Sequence, residues 1–321
     1  MNTYSFGSQS KITQAGTIAR ACLAPGQRGR VLAAFSQAIY LQSEMGELFW
    51  ITTEEAPLHR RCAQISTPLP KLAAGSQYHM DGHDLIVDRA VVWGVDQVII
   101  WQKPLMDQVV NTAALYSWTH TFFTNLNYSH ARGFGTFIPS ILSLSGGNPE
   151  GYAPEPDNPV LKYAKPYVMD MASGCLGGHA ASISKFADSL IGLGEGLTPS
   201  GDDFLGGVLF ALRTLRSCHP DLIFADDMPF LDAYRARTHT ISFTLMNDLA
   251  EGHAIAPLHQ IINGLLCGVS AERIYPFVSQ LTRIGHSTGW DLLTGLLVGL
   301  LTTYRSHYFI PSLQLTKSMK A

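Results

Sequence analysis

The chain changes its hydrophobic period at Pro104, and that change limits it to folds that keep strands and helices in separate runs. Before Pro104, the stretches Val31–Leu41, Glu47–Thr53, Arg60–Thr67 and Leu85–Val92 are short and rich in β-branched, aromatic and apolar residues. Turn formers stand between them: Pro25-Gly26, Met45-Gly46, Pro68–Pro70 and Asp81-Gly82. Val98–Trp101 is a further apolar run. Strand-length runs at this spacing predict a small barrel or sandwich. After Pro104 the apolar residues recur at helical spacing. Helices are expected over Met106–Leu126, Met169–Leu193, Phe204–Arg216, Pro229–Gly252, Leu258–Leu266, Ala271–Ile284 and Trp290–Tyr304. Gly146–Pro166, rich in Pro, Gly and Asn, reads as a connecting loop, and no pattern follows Tyr308. The expected fold class is α+β, with a β-rich barrel or sandwich over 1–104 and a helical domain over 105–321.

Composition narrows the partners. Hydrophobic residues make up 46% of the 321 and charged residues 15%, with a formal net charge of −3. Such a chain can bury a sizeable core. It has no basic excess with which to track a phosphate backbone, so nucleic acid is not an expected partner. The 22 Lys and Arg are scattered, with no polybasic run for a membrane surface. The most apolar segment, Asp291–Leu301, is too short for a bilayer, which needs roughly 20 apolar residues, and predicts a buried helix. Cys22, Cys62, Cys175, Cys218 and Cys267 are dispersed without a C-x-x-C pair. That pattern predicts reduced thiols and a cytoplasmic protein, and gives no basis for a zinc site built on Cys. The first residues lack a basic start followed by an apolar run, so no signal peptide is expected.

One internal similarity stands out. Gly201-Asp-Asp-Phe-Leu-Gly-Gly-Val-Leu-Phe-Ala-Leu212 aligns with Gly289-Trp-Asp-Leu-Leu-Thr-Gly-Leu-Leu-Val-Gly-Leu300. Small residues at matching places would let the two helices approach closely. A duplicated hairpin or pseudo-twofold pair explains this, and so does chance similarity between two buried helices.

The working site is expected at Gly192-Leu-Gly-Glu-Gly-Leu-Thr-Pro-Ser-Gly-Asp-Asp203. Glycines permit positive φ and let a ligand approach backbone amides. The first N–H groups of a helix point outward with the positive dipole end behind them, which suits phosphate or carboxylate. Gly194, Gly196 and Gly201, with the hydroxyls of Thr198 and Ser200, are therefore candidate ligand-binding residues. The turn is neither a Walker loop, because Asp202 and Asp203 stand where Lys and Ser/Thr belong, nor a dinucleotide fingerprint, because no apolar strand precedes it. Structural readings exist for several of these residues. Gly192 can close the preceding helix. Ser200-x-x-Asp203 and Thr288-x-x-Asp291 have the form of capping boxes, which accounts for Asp203 and Asp291 without catalysis. Capping does not account for Asp202. As a first-turn acid it can simply favour the helix dipole; it can also work as a base, orient a substrate donor, or carry Mg²⁺.

Asp202, Asp203 and His286 form the candidate catalytic set. His286 lies in Gly285-His-Ser-Thr-Gly289, a second turn of anion-holding form that also presents Ser287; a polar loop histidine is the plainer account. Arg237 is a candidate bidentate partner for carboxylate or phosphate, or else a surface residue of an amphipathic helix. His79, Asp81 and His83 could bind a metal, though a polar hairpin turn suffices.

The string from Gly192 to Gly207 resembles the signature of a bacterial family long filed as a domain of unknown function, which includes the AllH subunit of oxamate carbamoyltransferase. Gly285-His-Ser-Thr-Gly-Trp-Asp-Leu-Leu-Thr-Gly295 resembles that family's second block. The resemblance implies carbamoyl transfer in the anaerobic use of allantoin nitrogen: oxalurate and phosphate give oxamate and carbamoyl phosphate. It also implies small anionic ligands (oxamate, carbamoyl phosphate, phosphate) and partner subunits of the same enzyme complex. It brings no catalytic residues with it. The Ser-Thr-Arg-Thr phosphate motif of ordinary carbamoyltransferases is absent. Two other functions fit the turn: a non-catalytic subunit that binds an anion to regulate or assemble the complex, and a metal-dependent phosphotransferase using Asp202 and Asp203 for Mg²⁺.

Overall fold

The structure is a computed structural model, and it describes residues 10–88, 91–105, 111–146, 158–178, 182–219 and 229–304. It divides into two compact units, Met1–Pro104 with Ala254–Ala256, and Leu105–His253 with Pro257–Ala321.

The first unit is a closed β-barrel. Its elements are β1 (Ser10–Gly16), α1 (Thr17–Cys22), β2 (Arg28–Ala34), β3 (Ile39–Ser43), β4 (Leu48–Thr53), β5 (Cys62–Ile65), β6 (Gln77–Asp81), β7 (Asp84–Val87), β8 (Val91–Gly94) and β9 (Ile99–Trp101). The strand order is β5-β4-β3-β2-β6-β7-β8-β1, and β1 pairs back onto β5, which closes eight strands. β1 does this by running antiparallel to β5 (Ile12 opposite Ile65) and parallel to β8 (Ser10 opposite Trp93). β9 joins β1 in parallel further along (Ala15 opposite Ile100). Alternation points Ile39 and Leu41, Tyr78 and Met80, and Leu85 and Val87 inward, where they meet Ile12, Phe49 and Trp93 in one core.

The barrel settles the choice between barrel and sandwich and refines the strand boundaries. Val31–Leu41 is two strands, with a turn in which Phe35 N–H donates to the Ala38 carbonyl at 2.8 Å. Leu85–Val92 likewise spans β7 and β8. β1, α1 and β6 had no sequence expectation. His79 and His83 lie in the β6–β7 hairpin, where His83 faces Asp96 at 3.5 Å, and no metal cluster of His, Cys, Asp and Glu forms among the described residues.

The second unit is helical: α2 (Thr112–Thr124), a 3-10 turn at Gly133–Phe137, α3 (Ile138–Leu144), α4 (Pro159–Leu176), α5 (Ser182–Leu190), α6 (Ser200–Cys218), a 3-10 segment at Pro229–Arg237, α7 (Thr240–Ala250), α8 (Ala256–Leu266), α9 (Ala271–Leu281) and α10 (Thr288–Leu300). Three expectations change. The expected loop Gly146–Pro166 already turns helical at Pro159, because Asn158 Oδ1 accepts from Val160 N–H at 2.8 Å and proline suits the first helical position. Residues 147–157 lie outside the described residues, as do 106–110 of the expected first helix and the tail after Tyr308. The Met169–Leu193 stretch is not one helix, since α4 ends at Leu176 before Gly177 and α5 begins at Ser182. Finally, Pro229–Gly252 breaks before Thr240, so Arg237 does not share a helix face with Thr244 and Asp248.

α6 and α10 form the centre of this unit. Every residue from Gly201 to Leu212 and from Gly289 to Leu300 is buried. No described helix is long and apolar enough to cross a membrane.

Candidate functional site

The two similar strings meet. A Cβ placed on Gly207 would lie 3.1 Å from the Gly295 Cα, and one on Gly295 would lie 3.0 Å from the Gly207 Cα. A Cβ on Gly207 would also strike the Leu292 carbonyl, and one on Gly295 the matching Phe204 carbonyl. One step further on, Gly299 faces Ala211. Gly207 meets its aligned counterpart Gly295 and Ala211 meets Gly299, while the Gly207–Leu292 and Gly295–Phe204 contacts mirror each other, so α6 and α10 run side by side in the same direction about a pseudo-twofold axis. Without side chains at Gly207 and Gly295 the backbones touch, and only glycine leaves room for that.

The symmetry extends to the helix starts. Gly201 packs on the Leu190 carbonyl at the end of α5, and Gly289 packs on the Leu281 carbonyl at the end of α9. The unit thus repeats a helix–turn–helix hairpin and joins the two copies through their second helices. At the shared N-terminal end, Thr198 Oγ1 and Thr288 Oγ1 lie 3.2 Å apart, as do Ser200 Oγ and Ser287 Oγ. Two positive dipole ends therefore converge under four half-buried hydroxyls.

Beneath the hydroxyls sit Asp203 and Asp291, 6% and 0% exposed. Neither belongs to a capping box. Pro199 takes the N-cap of α6 and Ser287 that of α10, with no side-chain cap bond at either. Both aspartates thereby fall at the fourth helical position, facing the pair rather than the cap. Asp291 Oδ1 accepts from Phe134 N–H at 2.6 Å. Asp203 Oδ2 and Asp291 Oδ2 are buried and have no partner. Burial drives the Asp203 carboxyl well above the usual carboxylate range, the Asp291 charge adds to the rise, and hydrogen bonds from Thr288 and Thr198 oppose it. Burial likewise pushes Asp291 up to about 7, against the Phe134 amide and the hydroxyls of Ser287 and Ser200. Burial therefore makes the pair hold on to a proton at higher pH than ordinary aspartates do.

Asp202 plays another part. It is 1% exposed, and its carboxylate is engaged by three donors: Gly192 N–H to Oδ1 at 2.7 Å, Ser242 Oγ to Oδ2 at 2.6 Å, and Thr238 Oγ1 to Oδ2. It ties the glycine turn to the start of α7. Oxygens so occupied make it a poor base and a poor Mg²⁺ ligand, so the geometry gives it an anchoring role.

The glycine turn has the expected backbone, with φ of +76° at Gly192, +127° at Gly194 and +89° at Gly196. Its amides do not have the expected freedom. Gly201 N–H donates to the Leu193 carbonyl at 2.9 Å, and the Asp202 and Asp203 amides donate to Pro199. Gly201 therefore provides close packing and no free donor. Thr198, Ser200 and Ser287 line the shared end, and His286 is exposed in the adjoining turn. Arg237 lies apart from them, because its guanidinium donates to Asp188 Oδ1 at 2.8 Å and only its carbonyl abuts Gly192.

Three contributors had no sequence expectation. Thr238 and Ser242 hold Asp202, and the Gly133–Phe134 backbone holds Asp291. The tight string Gly133-Phe-Gly135 was the available signal. Gly133 has φ of +53°, a Cβ there would collide with Asp291 Oδ1, and one on Gly135 would meet the Trp290 ring at 2.8 Å.

Comparison with known families falls on this duplicated hairpin. Residues 190–300 match the family described as oxamate carbamoyltransferase subunit AllH. The AllH match begins at the last residue of α5 and ends at the last residue of α10, and both glycine-rich strings lie within it. It covers about a third of the chain and leaves out the barrel. No solved structure matches the chain.

Proposed function

We propose that this chain is a subunit of a carbamoyltransferase of the oxamate type, and that the common start of α6 and α10 holds the carbamoyl group. The observation that carries this reading is the pair of orphaned buried oxygens, Asp203 Oδ2 and Asp291 Oδ2. Buried polar atoms call for partners. A carbamoyl group presents N–H donors and a carbonyl acceptor side by side. Two carboxyls sharing one proton present the complement, a carboxylate to accept the N–H and an acid O–H to meet the carbonyl oxygen.

The same pair suits the reaction. As a phosphate oxygen attacks the carbamoyl carbon of oxalurate, the protonated carboxyl stabilises the charge that grows on the carbonyl oxygen. The C–N bond to the oxamate nitrogen then breaks, and that nitrogen takes the proton from the carboxyl. The products are oxamate and carbamoyl phosphate. Asp291, with its affinity for protons near neutrality, would move that proton, and the exposed His286 of the adjoining turn is its candidate relay. The hydroxyls of Thr198, Ser200, Ser287 and Thr288 offer donors to the anionic oxygens, and the positive φ of Gly194 and Gly196 keeps the turn free of side chains there. The family description as a subunit supports action with partner chains; the place in allantoin nitrogen use rests on the resemblance of the two strings. The five dispersed cysteines, none of them in a disulfide, support a cytoplasmic setting.

The test is phosphate release from oxamate and carbamoyl phosphate by the purified chain combined with its partner subunits. Asp291→Asn and Asp203→Asn are expected to lower turnover at least about 100-fold while folding persists, as removal of a proton-transfer or oxyanion group does. Turnover at the native rate in both variants would refute the reading. Turnover that survives EDTA would exclude an essential Mg²⁺ at the acidic pair.

A further inference from the structure

We propose that Arg132 is the cation that fixes the anionic end of the ligand at this site; the identity of the ligand rests on the carbamoyl reading, but the role of Arg132 does not. The need for a cation follows from the backbone. The amides of Gly201, Asp202 and Asp203, which an anion at a helix start would use, already donate within the protein. Hydroxyls and a partly protonated acidic pair cannot by themselves balance a dianion.

The two arginines near the glycine turn are committed. Arg237 is paired with Asp188, and Arg235 is paired with Asp232 and stacked over the Phe243 ring at 4.3 Å. Arg132 is exposed, and among the described residues no hydrogen bond, ion pair or ring contact holds its side chain. Its backbone, by contrast, is held against the site. The next residue, Gly133, lies so close that an added Cβ would sit 2.7 Å from Ser287 Cβ and would collide with Asp291 Oδ1. The residue after that, Phe134, donates its amide to the same Asp291 oxygen. Arg132 therefore springs from a fixed point beside the Asp291 carboxyl, with its side chain uncommitted. A planar guanidinium forks onto a phosphoryl group or a carboxylate with two parallel N–H bonds, which an ammonium cannot reproduce.

Isothermal titration of the full-length chain with inorganic phosphate, and separately with oxamate, tests the assignment and tells which oxyanion Arg132 receives. R132A is expected to weaken binding of that anion about 10- to 100-fold, the effect of losing a charge-assisted bond, and R132K to fall between R132A and the native chain. R283A tests the exposed arginine of the adjoining α9–α10 turn and should change affinity less than about twofold, the effect of a screened surface charge. Circular dichroism and melting temperature confirm folding of each variant. The assignment is overturned if R132A binds like the native chain, if R132A and R283A weaken binding equally, or if the native chain binds neither anion. Arg132-dependent binding without carbamoyl transfer by the assembled enzyme would sink the functional reading and leave the Arg132 assignment standing.

Discussion

Replacing Asp291 by Asn should flatten the pH dependence of stability above pH 4. The carboxyl is fully buried and titrates at about 7 in the folded chain, against a usual value of 3.8. A raised acid pKa means that the folded state binds the proton more tightly than the unfolded state does. Its contribution is therefore complete below about pH 4 and is lost as pH rises toward 7, because the native chain must then bury a charge that the unfolded chain leaves in water. About three pKa units at 1.36 kcal/mol each set an upper bound of about 4 kcal/mol for that loss. In a unit of this size that is worth about 8 to 16 °C of melting temperature. Asn at 291 can still accept from Phe134 N–H but never ionises, so its stability lacks this decline. The assay is urea or thermal unfolding of both chains, without ligand, from pH 4.5 to 8.5. The variant should gain on the native chain steadily across that window. Parallel curves, within about 0.5 kcal/mol throughout, would show that Asp291 does not hold its proton, and the shared-proton argument for the carbamoyl site would go with it.

Two further substitutions test the frame. Asp202→Asn should cost about 2 to 3 kcal/mol in chemical denaturation, because three donors lose a charged acceptor, and it should loosen proteolytic protection of the Gly192 turn; a change under about 0.5 kcal/mol would contradict the anchoring role. Gly295→Val should destabilise by 3 kcal/mol or more, roughly the upper range for overpacking, because its side chain would meet the Phe204 carbonyl and the Gly207 backbone; a melting temperature unchanged by the substitution would contradict the touching helices.

What the sequence revealed depended on how far each signal reached along the chain. α6 and α10 were legible because long apolar runs bounded by glycine have few other readings. β1 was not, since only Ile12 and Ala15 of its early residues point fully inward and the intervening Lys11, Thr13 and Gln14 hide the alternation. The glycine turn was recognised as a turn. The use of its amides was not, because their acceptors, Leu193 and Pro199, depend on the conformation the turn adopts. The aspartates illustrate the same limit. Local spacing offered Asp203 and Asp291 as caps and Asp202 as the chemical group. Placing Pro199 at the N-cap shifts the helix register by one residue and reverses those roles. The bond from Phe134 to Asp291 spans 157 residues, and no local pattern announces a contact of that range.

A binding place on a pseudo-dyad carries an ambiguity of its own. Related halves offer a guest molecule two poses of nearly equal free energy, one of them reversed and unreactive. Only groups without a counterpart can break that degeneracy. Here the Gly133–Phe134 backbone reaches Asp291 alone, and Trp290 occupies the place that Asp202 holds in the other copy. The chain's departures from its own repeat are thus what would give an incoming molecule a single direction.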